Sequence, residues 1–442
     1  MQTPPTSISS RTRLGLALLA VVLALGAAVA QLAGVAFGAP ATVRRVASMP
    51  PLPRSFPPTL QLGMSGGLGT ADDVRSVGPL GFHYQYLAGG VGRDNHWTTW
   101  RPNGAFVTDY ARESAASGLT PVFTYYMIVQ SAPGRADAPG AAEPEAVRLN
   151  LATPSTMAAY YADLRVFFER AATLPEIPTI LHVEPDLWGF AHQRAQNDDA
   201  STVPVLVGST GLAEVADLPD TLAGFAQAVT RLRDRYAPNV LLAYHLSAWG
   251  TGDDIFLSDA RDDAVDRIAD RSARFYRSLG APFDLAFSEF SDRDAGFKEH
   301  VYGDRGRSWW DAADFARHVR LLAGFVEGTG ARLVLWQIPY GNTKMRAQNN
   351  TRGHYQDNRV EWLLDDPARG HLREYLDAGV IAFLFGGGAG DVSCPCDQVG
   401  DGVTDPAPIN GNDRSSLSAD DDGGYFRERA AAYYAAGPLP LP

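Results

Sequence analysis

Cysteine is nearly missing from this chain: its 442 residues include two, Cys394 and Cys396, both in the stretch SCPCD. So few exclude a disulfide framework and a cysteine-based zinc site. Outside the cell the two could close only a tight, strained loop. Clustered positive charge is missing as well. The formal net charge is −12 and no run of Lys or Arg appears, which excludes a nucleic-acid partner, because phosphate binding needs a basic surface. An uncharged or cationic ligand is favoured. No His-Glu-x-x-His helix occurs, and the first strand, TLQLGM, lacks a His-x-His pair, which weakens a metal-assisted hydrolase as a reading. No fixed-period repeat is present.

What is there is enough apolar material for a large core. With 45% hydrophobic and 20% charged residues, the chain can fill one large domain or two ordinary ones and is not disordered. At the N-terminus, Arg11 and Arg13 precede an apolar run from Leu14 to Gly38 that contains Ala-Val-Ala at 28–30. A small-residue site of this kind suits signal peptidase, and the run is also long enough to span a bilayer uncut. Residues 1–38 are therefore expected to be a signal peptide or an N-terminal membrane anchor. The protein is expected to be secreted, or held at the plasma membrane facing outward. Residues 39–57 are Pro-rich and read as a stiff linker, leaving 58–442 as the catalytic domain.

Beyond residue 58, apolar or β-branched runs alternate with stretches of helical spacing. The expected strands are 59–64, 82–87, 120–129, 179–184, 240–247, 283–290, 332–339 and 380–385. Helices are expected over 154–172, over 220–236 with Asp220 as N-cap, and over 309–328. Eight such alternations predict an α/β fold, a (β/α)8 TIM barrel with long loops after strands seven and eight. The first helix, near 71–79, is weak, which leaves room for a distorted barrel.

In such barrels the C-terminal strand ends carry the chemistry. Strand four runs into ILHVEPDLWGF, where His182 and Glu184 share a face, as does Asp186 if the strand persists through Pro185. Strand six ends in Glu289, followed by Asp292 and Asp294. Paired carboxylates beside aromatic platforms suit glycoside hydrolysis, in which one stays protonated and the other is ionised. The candidate catalytic residues are Glu184, Asp186 and Glu289. The candidate substrate-binding residues are Tyr125, His182, Trp188, His245, Trp249, Trp336, Gln337, Asn342 and His354. Trp97, Trp100 and Trp309 join them as indoles able to stack on sugar faces. Each has a structural alternative: carboxylates fixed by arginine, tryptophans in the core, histidines hydrogen-bonded behind the site.

The segment VEPDLWGF resembles the Glu-Pro-Asp stretch at the fourth strand of family 6 glycoside hydrolases, and LAYHLSAWG resembles that family's next strand and loop. This resemblance implies a distorted barrel, Asp186 as proton donor, and inversion of configuration. The same residues resemble the Asn-Glu-Pro segment of clan A glycoside hydrolases, which implies Glu184 as the acid. Clan A places a nucleophilic glutamate at the end of strand seven, where this chain has Gln337. Family 6 has a further aspartate after an earlier strand, where TPVFTYYMIVQS has none. Each resemblance covers some ten to thirty residues and reaches the superfamily only.

The loop 339–361 is rich in amide and aromatic groups, suited to sugar hydroxyls. After strand eight, Asp397, Asp401, Gly402 and Asp405 resemble positions 1, 5, 6 and 9 of a calcium loop, with Val399 where position 3 needs oxygen. Calcium there is the one cofactor considered, and none is otherwise expected. The expected partner is a glycan, with membrane contact only through the N-terminal segment. A metal-assisted hydrolase using His182, Glu184, Asp186 and His245, or a non-catalytic glycan-binding surface protein, are the competing readings.

Overall fold

The computed structural model describes residues 43–291, 293–344, 355–388 and 424–442. Eight parallel strands pair in chain order and close on themselves: β1 (Gln61–Ser65), β2 (Phe82–Leu87), β3 (Thr120–Tyr125), β4 (Thr179–Val183), β5 (Val240–Leu246), β6 (Leu285–Glu289), β7 (Leu333–Pro339) and β8 (Val380–Gly386). Parallel strands covered on both faces read as continuous apolar runs. VLLAYHL of β5 is buried at every position. The expected (β/α)8 barrel is therefore the fold. Its first helix is short, Ala71–Val77, yet the barrel closes without it being longer. The irregularity lies instead in register shifts between β7 and β8.

The outer helices follow their sequence signals. The long helix Pro154–Ala171 carries its proline in the first turn, where the missing N–H costs nothing. Helix Ala312–Thr329 opens on a capping box formed by Asp311 and Asp314. Asp220 is not the N-cap of the helix Leu222–Tyr236. Thr221 caps it by accepting from Gly224 N, while the Asp220 carboxylate takes the N–H groups of Val207 and Ser209. An aspartate accepts equally well from a neighbouring turn, and local sequence cannot choose between the two.

The N-terminal mouth of the barrel is sealed. Phe56 packs on Phe82, ring centroids 5.4 Å apart, in one apolar cluster with Val122, Ile180, Leu241 and Ala382. Arg332 is buried, and its Nη1 donates to the carbonyls of Pro50 and Pro442 at 3.0 Å each. Residues 43–57 are thus no free linker. Val46 N donates to Asp377 O at 2.8 Å, and Arg44 pairs with Asp266 and Glu327. Prolines bar this segment from helix and ladder, but an extended strap loses few N–H groups by lying on a surface. Among the described residues no helix is long and apolar enough to cross a membrane. The run 14–38 lies outside them.

Candidate active site

Strand β4 stops at Val183 rather than continuing through Asp186. Glu184 adopts a left-handed conformation, φ 44° and ψ 70°, which breaks the alternation that would have aimed it into the barrel. Its carboxylate instead turns onto the backbone after β3, accepting from Met127 N at 3.0 Å and Ile128 N at 3.2 Å. The side chain is 1% exposed. Burial pushes its carboxyl up to about 8, against the pull of those two N–H groups. Glu184 holds the loop that follows β3 and does not line the cleft.

Pro185 starts the helix Pro185–His192, which places Asp186 at its second position. There the side chain leans into the cleft and accepts from the Tyr126 hydroxyl at 2.7 Å. Burial pushes the Asp186 carboxyl up to about 6; the Tyr126 hydrogen bond opposes that rise, and the charge of Glu143 adds to it. A carboxylic acid so placed holds its proton into mildly acidic solution.

Glu289 ends β6 in a different setting. His245 Nε2 lies 2.5 Å from its Oε2, and Ala248 N donates to its Oε1 at 3.3 Å. His245 Nδ1 in turn meets His182 Nε2 at 3.0 Å. His182 is fully buried behind the cleft, stacked on Phe287. Burial drives its pKa well below the ordinary histidine value. The histidines therefore act as a layered support, His245 touching the cleft and His182 one step beneath.

The cleft at this C-terminal mouth has a volume of ≈ 680 Å³ and is lined by Asp186, Glu289, His245, Trp249, Trp336 and Gln337 among others. Trp336 and its neighbour Gln337 both face it because β7 bulges between Leu335 and Ile338, with Gln337 at φ 53°. A regular strand would send one of them outward. Gln337 Nε2 donates to the Tyr86 hydroxyl at 2.5 Å. Trp249 packs on Gly189, where a Cβ would come within 2.5 Å of the indole, and tilts against Phe190.

Not all expected residues gather here. Trp188 is buried, its indole donating to Val183 O at 2.7 Å among Phe225, Tyr244 and Phe283. Tyr125 points outward from the barrel to Asp163, which also takes the indole N–H of the buried Trp97. Both belong to the core between strands and helices: Tyr125 because its position on β3 is an outward one, Trp188 because the helix Pro185–His192 turns it under the strands. Asn342 is buried and its Oδ1 accepts from Lys344 N at 2.8 Å. Trp100 and Trp309 stand apart, donating to Asn95 O and Glu299, and Asp294 is buried off the cleft. His354, Asp292, Cys394, Cys396 and the calcium candidates Asp397, Asp401 and Asp405 lie outside the described residues. The metal set His182, Glu184, Asp186 and His245 does not converge, since Glu184 faces away. Among the described residues no three metal-binding side chains meet at one point.

The cleft also uses residues that sequence reading left out of the site. Tyr86 was within reach, being the last inward position of FHYQYL by alternation. Glu143, Phe256, Lys298 and Tyr302 come from loops or the ends of helices, where no periodicity reports direction.

No protein-family model matches the chain, and no curated protein does. Solved structures to which it is similar include an endo-beta-1,4-mannanase of Cellulomonas fimi from glycoside hydrolase family 26. That likeness has 13% identity over 77% of this chain and 68% of that one, with a TM-score of 0.42. A cellobiohydrolase of Humicola insolens shares 15% identity over 59% and 63%, TM-score 0.35. A D-psicose 3-epimerase shares 12% over 85% and 98%, TM-score 0.39. Likeness this distant carries no weight for chemistry, which rests on the cleft.

Proposed function

We propose that this protein is a glycoside hydrolase acting on a polysaccharide or oligosaccharide. The observation that carries the reading is one cleft holding two carboxyl groups in opposed settings. Asp186 is pushed toward its acid form, and Glu289 is addressed by the Ala248 N–H and the His245 ring. In this reading Asp186 protonates the departing glycosidic oxygen and Glu289 acts on the other face of the sugar. Trp249 and Trp336 offer apolar faces for sugar C–H bonds.

Gln337 occupies the place where a retaining partner from strand seven would stand, so inversion is the proposed outcome, with Glu289 activating a water. The Arg-flanked apolar run at the N-terminus supports an exported enzyme, free or anchored. The test is release of reducing sugar from a polysaccharide panel, followed by proton NMR of the first-formed anomer. A retained anomer, or a glycosyl ester trapped on Glu289, would make Glu289 a nucleophile. Glycan binding with no turnover would support the non-catalytic alternative.

A further inference from the structure

Four consecutive strands contribute to one hydrogen-bonded belt inside the barrel. Thr124 of β3 lies level with His182 of β4, and Thr124 Oγ1 is 3.3 Å from His182 Nδ1. His182 is level with Ala243 of β5, whose small side chain leaves the imidazole room to lean up to His245 one inward position further on. The belt continues from His182 Nε2 to His245 Nδ1 at 3.0 Å and from His245 Nε2 to Glu289 Oε2 at 2.5 Å. The His182 ring is clamped, lying on Phe287 at 4.4 Å and meeting Trp336 edge-on at 4.9 Å.

Such a chain can run in either of two directions, and its ends decide which. Among the described residues the Thr124 hydroxyl has one hydrogen-bond partner, His182 Nδ1. Were His182 protonated on Nδ1, the threonine's own proton would be left in the barrel interior with no acceptor, a costly arrangement. Thr124 therefore donates, Nδ1 is bare, and the single proton of a neutral His182 sits on Nε2. That proton meets His245 Nδ1, which must then be bare too. His245 is left with its proton on Nε2, directed at Glu289. Read from the other end, the base role that the proposed function gives Glu289 calls for a donor facing its Oε2, which is the same direction.

We infer that His182, although it does not touch the cleft, is a positioning residue that, with Thr124, fixes His245 in the one tautomer that donates to Glu289. This rests on the proposed function only in taking Glu289 as the carboxylate that reacts. No proton has to travel along the belt. Its part is to keep a donor on Glu289 Oε2 and the carboxyl in place, as the orienting member of a catalytic triad does for its histidine.

Long-range proton–nitrogen NMR of the full chain labelled with 15N-histidine tests the inference without any substrate. At neutral pH, His182 and His245 should both appear neutral and protonated on Nε2, their signals assigned by loss in the His182→Gln and His245→Gln variants. A proton on Nδ1 of either ring, or on both nitrogens, overturns it. Kinetics give a second readout. His182→Phe keeps the stack on Phe287 but cannot donate, and kcat should fall on the order of tenfold to a hundredfold with KM within about twofold. His182→Gln can still accept from Thr124 and donate to His245, so it should keep kcat within about threefold of the parent. Equal loss in both variants, or no loss in His182→Phe, overturns the assignment. If His182→Phe does not fold, the spectrum and the glutamine variant decide. Should the parent cleave no glycan, the proposed function fails while the spectrum still settles the belt.

Discussion

At the N-terminal mouth of the barrel, Phe56 closes the interior and the segment entering β1 meets the C-terminal segment, with Leu60 N donating to Leu439 O at 2.8 Å. At the C-terminal mouth, His245 of β5, Glu289 of β6 and Asp186 in the helix after β4 line a cavity. The first mouth satisfies carbonyls of Gly379 and Pro50 with Arg332 and is packed with apolar side chains. The second holds polar groups only as firmly as their neighbours allow, through Tyr126, Ala248 and His182. Stability and chemistry are thus separated along one axis, and substitutions at the two ends should fail in different ways.

The contrast is broken hardest at Glu289. Glu289→Gln should lower kcat on the order of a thousandfold while the thermal midpoint and calorimetric glycan affinity stay close to the parent's. Asp186→Asn should do the same on a natural glycan, yet recover most of its rate on an aryl glycoside whose leaving group needs no proton. Loss of folding in either would assign that carboxyl to structure. At the opposite mouth, Phe56→Ala should cost about 3 kcal/mol in denaturant unfolding and leave kcat unchanged at 25 °C. A fall in kcat there would mean that the two ends are coupled.

Smaller effects sharpen the comparison within the upper mouth. As the acid, Asp186 works protonated, so kcat/KM should fall as pH rises through about 6. Tyr126 donates to the ionised form and so lowers that pKa. Tyr126→Phe should move the falling limb upward by on the order of one pH unit, and a limb that stays put would remove Asp186 from the role. Two residues away, Glu184 has its proton held up to about 8 in the folded state, whereas an unfolded glutamate releases it near its ordinary value of about 4.3. Its contribution to stability is therefore present at low pH and is lost as pH rises through about 8. Between pH 5 and 6 the parent should lose about 1 kcal/mol relative to Glu184→Gln, read from paired urea titrations. Equal slopes would show that Glu184 is ionised in the folded protein.

Glu184 and Asp186 also show how far the sequence could be read. The apolar run ending in Val183 and the alternation of eight such runs specify strands and, by count, a closed barrel, because periodicity and burial are local properties of residue order. Carboxylates at the ends of β4 and β6 were legible on the same ground. Which of the two on β4 enters the cleft was not legible. That choice lies in one backbone torsion, the positive φ of Glu184, held by the N–H groups of Met127 and Ile128 more than fifty residues earlier. Trp188 and Trp336 carry the same indole. One fills the core and the other lines the cleft because helix geometry turns the first inward and a bulge in β7 presents the second. The amino-acid order determined the eight strands, their apolar filling and the chemical groups at their ends. Only the closed barrel decided which groups meet, because side-chain direction at a strand end depends on hydrogen bonds to distant segments that residue order does not encode locally.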